Sequence, residues 1–122
     1  MSDKPYVLSV DDESLNQEIV LDLLEDDFEI KTASNGQECL EMVEKEIPQL
    51  ILLDVNMPVL NGLETCKKLK ANDKFKNIPI IFVSALASAK EIEMGNEAGA
   101  DDYITKPFDE DMLIARIYEL IQ

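Results

Sequence analysis

Residues 49–58 of the chain read QLILLDVNMP, and this stretch decides the fold. The apolar run Leu50–Leu53 has the length of a buried strand, and Asp54 follows it directly. Desolvating a carboxylate is costly unless a partner compensates for it, so a charge at the tip of a buried strand indicates a functional position. Pro58 then favours a turn that leads the chain away from the strand.

Polar side chains follow three other apolar runs in the same way. The adjacent pair Asp11 and Asp12 ends the run Tyr6–Val10. Ser84 ends a later run, and Lys106 follows the last one. Together with the carboxylate described above, these strand ends offer three carboxylates, a hydroxyl and an ammonium to what we expect to be one pocket. That arrangement indicates a Mg²⁺ site that handles phosphate.

Short apolar runs alternate with amphipathic stretches five times along the chain. The predicted strands are Tyr6–Val10, Phe28–Thr32, Leu50–Leu53, Ile80–Val83 and Tyr103–Thr105, and the predicted helices lie near Glu13–Glu25, Gly36–Lys45, Gly62–Asn72, Ser88–Ala98 and Asp109–Ile121. This alternation predicts a doubly wound α/β fold, with one parallel sheet covered by helices on both faces. Ligands bind such open sheets outside the carboxyl ends of the strands. With 122 residues, the chain is expected to form a single domain over residues 1–122.

Start and stop signals agree with the predicted helices. Asp12, or the Glu13-Ser14 pair after it, is expected to cap the first helix. Asn35 is expected to open the second helix in the same way. Gly99 follows the fourth helix, at a position where a residue with left-handed backbone geometry is expected.

The predicted helices also carry apolar residues for the core. In the first helix Leu15, Ile19 and Leu23 recur at four-residue spacing, so one stripe of this helix is apolar. Cys39 and Cys66 lie in two other predicted helices, and we interpret them as small core residues rather than as a disulfide. Because the chain has no His and no Cys-x-x-Cys motif, a structural zinc site is excluded.

The chain is strongly acidic, with 26 Asp and Glu residues against 11 Lys and Arg residues and a formal net charge of −15. Nucleic-acid binding needs a basic face that displaces counterions, so direct binding of DNA or RNA is not expected. Association with an anionic membrane surface is disfavoured for the same reason. The longest apolar runs are too short to span a bilayer and no signal peptide opens the chain, so we expect a cytoplasmic protein.

The three carboxylates would repel one another if they came together. At spacings of roughly 5 Å each pair costs about 3 kcal/mol at an effective dielectric constant of about 20, so the arrangement indicates a bound cation. Mg²⁺ suits hard carboxylate oxygens together with waters and a phosphate, whereas softer metals lack their usual ligands here. Three carboxylates and Lys106 leave a charge of −2, which one Mg²⁺ cancels. An Asp carboxylate is also a nucleophile that forms an aspartyl-phosphate.

Each of these residues also has a simpler interpretation. Asp11 and Asp12 are able to cap a helix and do nothing more. Ser84 fits a turn at the end of a strand, and Lys106 fits a surface loop. Taken in isolation, these last two residues agree better with the simpler interpretation. The placement of all the polar residues at successive strand ends favours one common site over coincidence.

A set of motifs then identifies a resemblance that covers essentially the whole chain. The motifs are Val10-Asp11-Asp12, Asp54-Val55-Asn56-Met57-Pro58 with Asn61-Gly62, Ser84-Ala85, Gly99-Ala100-Asp101-Asp102-Tyr103 and Lys106-Pro107-Phe108. In this order they resemble the receiver domain of two-component response regulators, and the chain is similar to the single-domain chemotaxis regulator. The resemblance implies a (βα)5 domain of the flavodoxin-like, CheY-like kind, with five parallel strands in the order 2-1-3-4-5.

The resemblance implies that Asp54 accepts a phosphoryl group from the phosphohistidine of a histidine kinase or a histidine phosphotransfer protein. Asp12, Asp54 and the backbone carbonyl of Asn56 would bind Mg²⁺ or Mn²⁺, and Asp11 would act mainly through water. The residues expected to contact the phosphoryl group, or to leave room for it, are Ser84, Ala85 and Lys106.

The same resemblance implies a switch that phosphorylation drives. Ser84 would swing toward the phosphoryl group and Tyr103, which matches the family's switch aromatic, would move inward. The simpler interpretation of Tyr103 is a half-buried strand aromatic with its hydroxyl in water. The readout surface would be the fourth helix, fifth strand and fifth helix, with Glu91, Tyr103 and Arg116 as candidates for exposure. Its partner would be a target protein or an attached output domain, or a second copy in a homodimer formed on phosphorylation.

Three other functions compete with the phosphorylation switch. An aspartyl-phosphate phosphatase has similar chemistry, but its Asp-x-Asp pattern is absent because Asp11 and Asp12 are adjacent. A flavin or nucleotide carrier would need a Walker A loop or a Gly-x-Gly-x-x-Gly motif after the first strand, and neither is present. An inert interaction module would not need the acidic pocket. We therefore expect a stand-alone regulator, or the receiver of a longer protein, that turns over no external substrate.

Overall fold

The computed structural model describes residues 4–55, 61–85, 88–106 and 108–121, which form five strands alternating with five helices. The strands are β1 (Tyr6–Val10), β2 (Glu29–Ala33), β3 (Leu50–Leu53), β4 (Ile80–Ser84) and β5 (Asp102–Thr105). The helices are α1 (Ser14–Leu24), α2 (Gly36–Lys45), α3 (Gly62–Lys70), α4 (Ala89–Glu97) and α5 (Glu110–Ile121). The predicted α/β alternation is therefore confirmed, with element ends that shift by one or two residues.

All five strands are parallel, and they pair in the order β2-β1-β3-β4-β5. This order confirms the predicted doubly wound topology. In the register of the sheet Val10 at the end of β1 lies opposite Ala33 on one side and Leu53 on the other. Ser84 at the end of β4 lies opposite Thr105. The carboxyl ends of the strands consequently form one edge, which carries the polar residues singled out in the sequence.

Two apolar clusters cover the two faces of the sheet. One joins the sheet to α2, α3 and α4, and its fully buried members include Cys39, Val43 and Leu69. The other joins the sheet to α1 and α5 and includes Leu24 and Ile117. Strands β3 and β4 are buried along their whole length, as central strands between two helical layers should be. The helices on both faces therefore hold the sheet edge in place.

Helix α1 differs most from the expectation. Two members of its apolar stripe, Leu15 and Ile19, are 65% and 46% exposed, while the polar Gln17 is buried. Glu13 occupies the N-cap position, so the predicted place of the cap is confirmed, but its side chain makes no capping hydrogen bond. Instead, the Glu13 backbone N–H donates to Oδ1 of Asp11 at 3.0 Å. At this point of α1 the buried position is held by a polar residue rather than by the predicted apolar stripe.

The other helix-terminus signals are confirmed. The side chain of Asn35 accepts a hydrogen bond from the Glu38 backbone N–H at the start of α2. Gly99 follows α4 with a φ of 101°, which is left-handed geometry that favours glycine. None of the helices that the structure describes is both long and apolar enough to cross a membrane.

Both thiols are free and buried, as expected for core residues. Burial raises the pKa of the Cys39 thiol to about 12 and that of Cys66 to about 11.

Because the thiolate is the reactive form, iodoacetamide at pH 8 should modify native protein at least about a hundredfold more slowly than protein in denaturant. The thiol pKa values are higher in the folded protein than in the unfolded chain, so the folded state binds more protons once the pH exceeds the unfolded-state pKa of about 8.5. The free energy of unfolding should therefore decline as the pH rises above about 8.5. Rapid labelling of native protein, followed by mass spectrometry, would contradict this expectation.

Candidate functional site

Backbone pairing fixes the two strand ends that carry the acidic residues. The backbone N–H of Asp11 donates to the carbonyl of Ala33 at 3.0 Å, which extends the β1–β2 pairing by one residue. The backbone N–H of Asp54 donates to the carbonyl of Val10 at 3.0 Å and extends the β1–β3 pairing likewise. Asp11 and Asp54 thus leave the sheet side by side.

The carboxylates of Asp11, Asp12 and Asp54 form an acidic cluster, with one oxygen from each lying within 4.8 Å of the others. The structure therefore brings together the three side chains that the strand-end pattern selected. Asp11 is buried, Asp54 is partly exposed and Asp12 is exposed. Three hard oxygen donors at this spacing, open to water on one side, suit a divalent cation that keeps several waters, such as Mg²⁺.

The Asp11 carboxylate accepts hydrogen bonds from three donors. Its Oδ2 accepts hydrogen bonds from Nζ of Lys106 at 3.1 Å and from Nδ2 of Asn16 at 3.2 Å. Its Oδ1 accepts from the backbone N–H of Glu13. A buried carboxylate needs such donors, and here a cation, an amide and a helix terminus supply them. In this structure Lys106 is therefore an ion-pair partner of Asp11.

Lys106 reaches the acidic cluster from the end of β5. Its backbone N–H donates to the carbonyl of Ser84 at 2.8 Å, which continues the β4–β5 pairing beyond Thr105. Ser84 is buried at the end of β4, next to β3, and Ala85 beyond it is exposed. The strand order thus places the predicted hydroxyl and ammonium groups at the same edge as the acidic cluster.

Gly62 lets α3 begin directly against the backbone of Asp54. A Cβ at Gly62 would lie 2.1 Å from the carbonyl oxygen of Asp54, a distance that no side chain tolerates. The Gly62 backbone N–H also donates to the carbonyl of Val55 at 2.9 Å. The sequence motif contained this glycine, and the structure gives the physical reason: close approach of the helix to the site backbone.

Gln17 is a functional-site residue that the sequence analysis missed. This buried side chain donates from Nε2 to the backbone carbonyls of Ser9, Asp11 and Ala33 at 3.1, 3.0 and 2.9 Å. Its Oε1 accepts from Oγ of Ser9 at 2.8 Å. The amide thereby ties α1 to the ends of β1 and β2 just behind the acidic cluster. In sequence it is indistinguishable from an exposed helical glutamine such as Gln37.

Tyr103 lies half-buried on β5, between the sheet and α4. Its ring centroid is 6.0 Å from that of Phe82 on β4, with the two rings tilted by 46°. A Cβ at Gly95 of α4 would lie 2.9 Å from Cδ2 of Tyr103, so the ring sits in a notch that this glycine leaves open. The position of Tyr103 is therefore coupled sterically to β4 and α4.

The other two candidates for an exposed readout surface are only partly exposed. Nε of Arg116 donates to Oδ2 of Asp102 at 2.6 Å, and Nη1 donates to Oε2 of Glu119 at 2.7 Å. The hydrogen bond that Arg116 donates to Asp102 is the main reason why the pKa of the guanidinium is raised. Glu91 is half-buried, and its Oε2 is buried without a hydrogen-bond partner in the part of the chain that the structure describes. The predictions for the Asn56 carbonyl and for the turn at Pro58 concern residues outside the described ranges.

The comparisons with known proteins agree on one family. The sequence model of the response regulator receiver domain matches residues 7–118. The chain is 37% identical over 123 residues to the transcriptional regulatory protein CseB of Streptomyces coelicolor, covering 100% of this chain and 51% of CseB. It is 37% identical over 115 residues to the response regulator PleD of Caulobacter vibrioides, covering 93% of this chain and 25% of PleD. The chain thus spans about half of the first relative and a quarter of the second.

A solved structure extends the comparison to the site. The receiver domain of a sensor histidine kinase from Pseudomonas aeruginosa PAO1 matches with a TM-score of 0.90 at 26% identity, over 97% of this chain and 98% of that one. That structure has a magnesium ion coordinated in its active site cleft. The similarity supports comparison of the two clefts, since it extends over nearly the whole of both chains.

Replacement of Gln17 tests whether its amide braces the site. Gln17→Ala leaves buried backbone carbonyls and the Ser9 hydroxyl without this partner, so the free energy of unfolding should fall by about 1–3 kcal/mol. The matched control is Gln37→Ala on the exposed face of α2, which should change it by no more than about 0.5 kcal/mol. Chemical denaturation measures both variants, and equal losses would show that the Gln17 contacts carry no special weight.

Proposed function

Because the chain belongs to the response regulator receiver domain family of two-component systems, we propose that it is a phosphorylation switch whose phosphoacceptor is Asp54. The observation that carries this proposal is the acidic cluster, whose oxygens lie within 4.8 Å of one another at the carboxyl edge of the sheet. The ion pair between Lys106 and Asp11 adds a cation to the same edge. Concentrated carboxylates with one ammonium suit phosphoryl transfer, which needs positioning and charge neutralisation.

The donor set of the acidic cluster fits Mg²⁺. We propose that Asp12, Asp54 and the backbone carbonyl of Asn56 hold the ion, while Asp11 acts through water. Mn²⁺ should substitute for Mg²⁺ because it accepts the same oxygen ligands. When bound, the ion supplies positive charge that offsets the carboxylates and the transferring phosphoryl group. The magnesium-containing cleft of the related Pseudomonas receiver domain supports this assignment.

Asp54 carries the reacting atom in the proposed transfer. One of its carboxylate oxygens attacks the phosphorus of a partner's phosphohistidine. A P–O bond forms as the P–N bond breaks, and the imidazole nitrogen keeps the electron pair and is protonated. Lys106 already lies at the cluster, 3.1 Å from Asp11, and is proposed to donate to the phosphoryl oxygens. Ser84 supplies a hydroxyl donor, and Ala85 leaves room beside the acceptor.

The readout is proposed to pass through Ser84 and Tyr103 to the face of α4, β5 and α5. Movement of Ser84 at the end of β4 would disturb the adjacent strand, which carries Tyr103 against Phe82 and Gly95. The proposed partner of that face is a target protein, an attached output domain or a second copy. The phosphodonor would be a histidine kinase or histidine phosphotransfer protein in the cytoplasm. The chain would catalyse its own phosphorylation and dephosphorylation and would turn over no external substrate.

Phosphoryl transfer to Asp54 is tested by intact-mass measurement. Wild type incubated with Mg²⁺ and a small phosphodonor such as phosphoramidate should gain a single phosphoryl group, and Asp54→Asn should gain none. The matched control is Asp22→Asn, which removes an exposed carboxylate on α1 and should leave the adduct intact. Equal adducts on wild type and Asp54→Asn, or none on wild type, would refute the assignment.

Removal of Lys106 separates phosphorylation from its consequence. Lys106→Ala should still form the phosphoryl adduct, because the acceptor and the metal ligands remain. The spectral change that phosphorylation produces at Tyr103 and α4 should largely disappear, because the ammonium that would contact the phosphoryl group is missing. The control is Lys31→Ala, which breaks an exposed ion pair with Glu46 away from the site. Amide NMR spectra with and without the phosphodonor measure the change, and a full response in Lys106→Ala would refute this role.

A further inference from the structure

A cavity of about 360 Å³ lies between α1 and α5 and is lined at one end by two members of the acidic cluster. Its size falls within the range of small-molecule pockets, roughly 300–1,000 Å³. Asp11, Asp54 and Lys106 line the end at the strand tips. Its apolar walls include Ile19, Val20, Leu23, Val83, Phe108 and Leu113. The cavity is therefore apolar along its walls and charged at its strand-tip end.

Ile19 connects this cavity to the surface. It lines the cavity and is nevertheless 46% exposed on α1. Leu15, one turn earlier, is 65% exposed but does not line the cavity. Both residues are therefore exposed apolar positions on α1, and only Ile19 lines the cavity.

The charge at the strand-tip end of the cavity decides which class of molecule binds there. The residues that line this end, the carboxylates of Asp11 and Asp54 and the ammonium of Lys106, leave a net charge of −1, and Asp12 of the acidic cluster adds a further negative charge nearby. The ammonium of Lys106 is already paired with Asp11, which also accepts a hydrogen bond from Asn16. An anion would add to the excess negative charge, whereas a cation would reduce it. The apolar walls in turn favour a hydrocarbon body.

We propose that this cavity binds small organic cations, with a protonated primary amine facing Asp11 and Asp54 and an alkyl or aryl body between α1 and α5. The amine shares Asp54 with the proposed divalent cation and occupies the side of Asp11 that would hold the cation's water, so the two ligands compete. An occupied cavity would accordingly hold the domain in a metal-free, unphosphorylated state. That consequence rests on the proposed function, whereas the binding itself does not depend on phosphoryl transfer.

Titration of the full chain with n-octylammonium and with n-octanoate tests the proposal. Methyl NMR spectra measure binding. The solution contains about 0.15 M salt, which screens charges that lie far from the cavity. Octylammonium should bind at least about tenfold more tightly than octanoate and shift the methyl signals of Val20, Leu23 and Val83. Saturating Mg²⁺ should raise its apparent Kd at least about fivefold. Equal binding of the two amphiphiles, or no effect of Mg²⁺, would overturn the proposal.

Two lysine substitutions on α1 distinguish the cavity from general attraction to an acidic protein. Ile19→Lys and Leu15→Lys change the net charge equally at exposed positions, but only the first lines the cavity. Ile19→Lys should weaken octylammonium binding at least about fivefold, and Leu15→Lys less than about twofold. Equal weakening would overturn the proposed site. No phosphodonor enters this experiment, so its failure and that of the Asp54 phosphorylation test are separate results.

Discussion

Mutual repulsion of the carboxylates in the acidic cluster is the constraint on which the rest of the site depends. The strand order places β1 and β3 side by side, so the acidic residues that follow them cannot avoid one another. Water screens the exposed Asp12. The buried Asp11 has no such relief and instead takes three donors from Lys106, Asn16 and the Glu13 backbone. The site is a balance between imposed repulsion and donors drawn from the start of α1 and from the distant Lys106.

That balance needs a rigid backbone beneath it, and two helices provide one. Gln17 ties α1 to the ends of β1 and β2 through three backbone carbonyls. Gly62 lets α3 approach the carbonyl of Asp54 more closely than any residue with a side chain would permit. Both contacts act on backbone atoms, so they hold the acidic residues in place without using their carboxylate oxygens.

Much of this arrangement was predictable from sequence, because strand tips in a parallel sheet meet at one edge. The run Leu50–Leu53 followed by Asp54 was enough to locate that edge, and the fold prediction followed from the alternation around it. Gln17 was not predictable, since polarity in an amphipathic helix does not reveal which polar side chain turns inward. The pairing of Lys106 with Asp11 joins residues 95 positions apart and depends on tertiary geometry. Regular apolar spacing predicts a continuous buried stripe, so it did not reveal the exposure of Ile19. In a helix that borders a cavity, an apolar residue lines the cavity and also contacts solvent.

The packing of α4 at Gly95 links the carboxyl edge of the sheet to the sheet face that α4 covers. Phe82 lies two residues before Ser84 on β4, and its ring meets that of Tyr103 on the neighbouring strand. The Tyr103 ring in turn fills the space that a side chain at Gly95 would occupy. A tightly packed contact of this kind does not deform smoothly, so a displacement of β4 has to move either the ring or α4. The proposed switch therefore requires no distant pathway: one aromatic contact and one missing side chain connect the edge that carries Asp54 to the surface that a partner would contact.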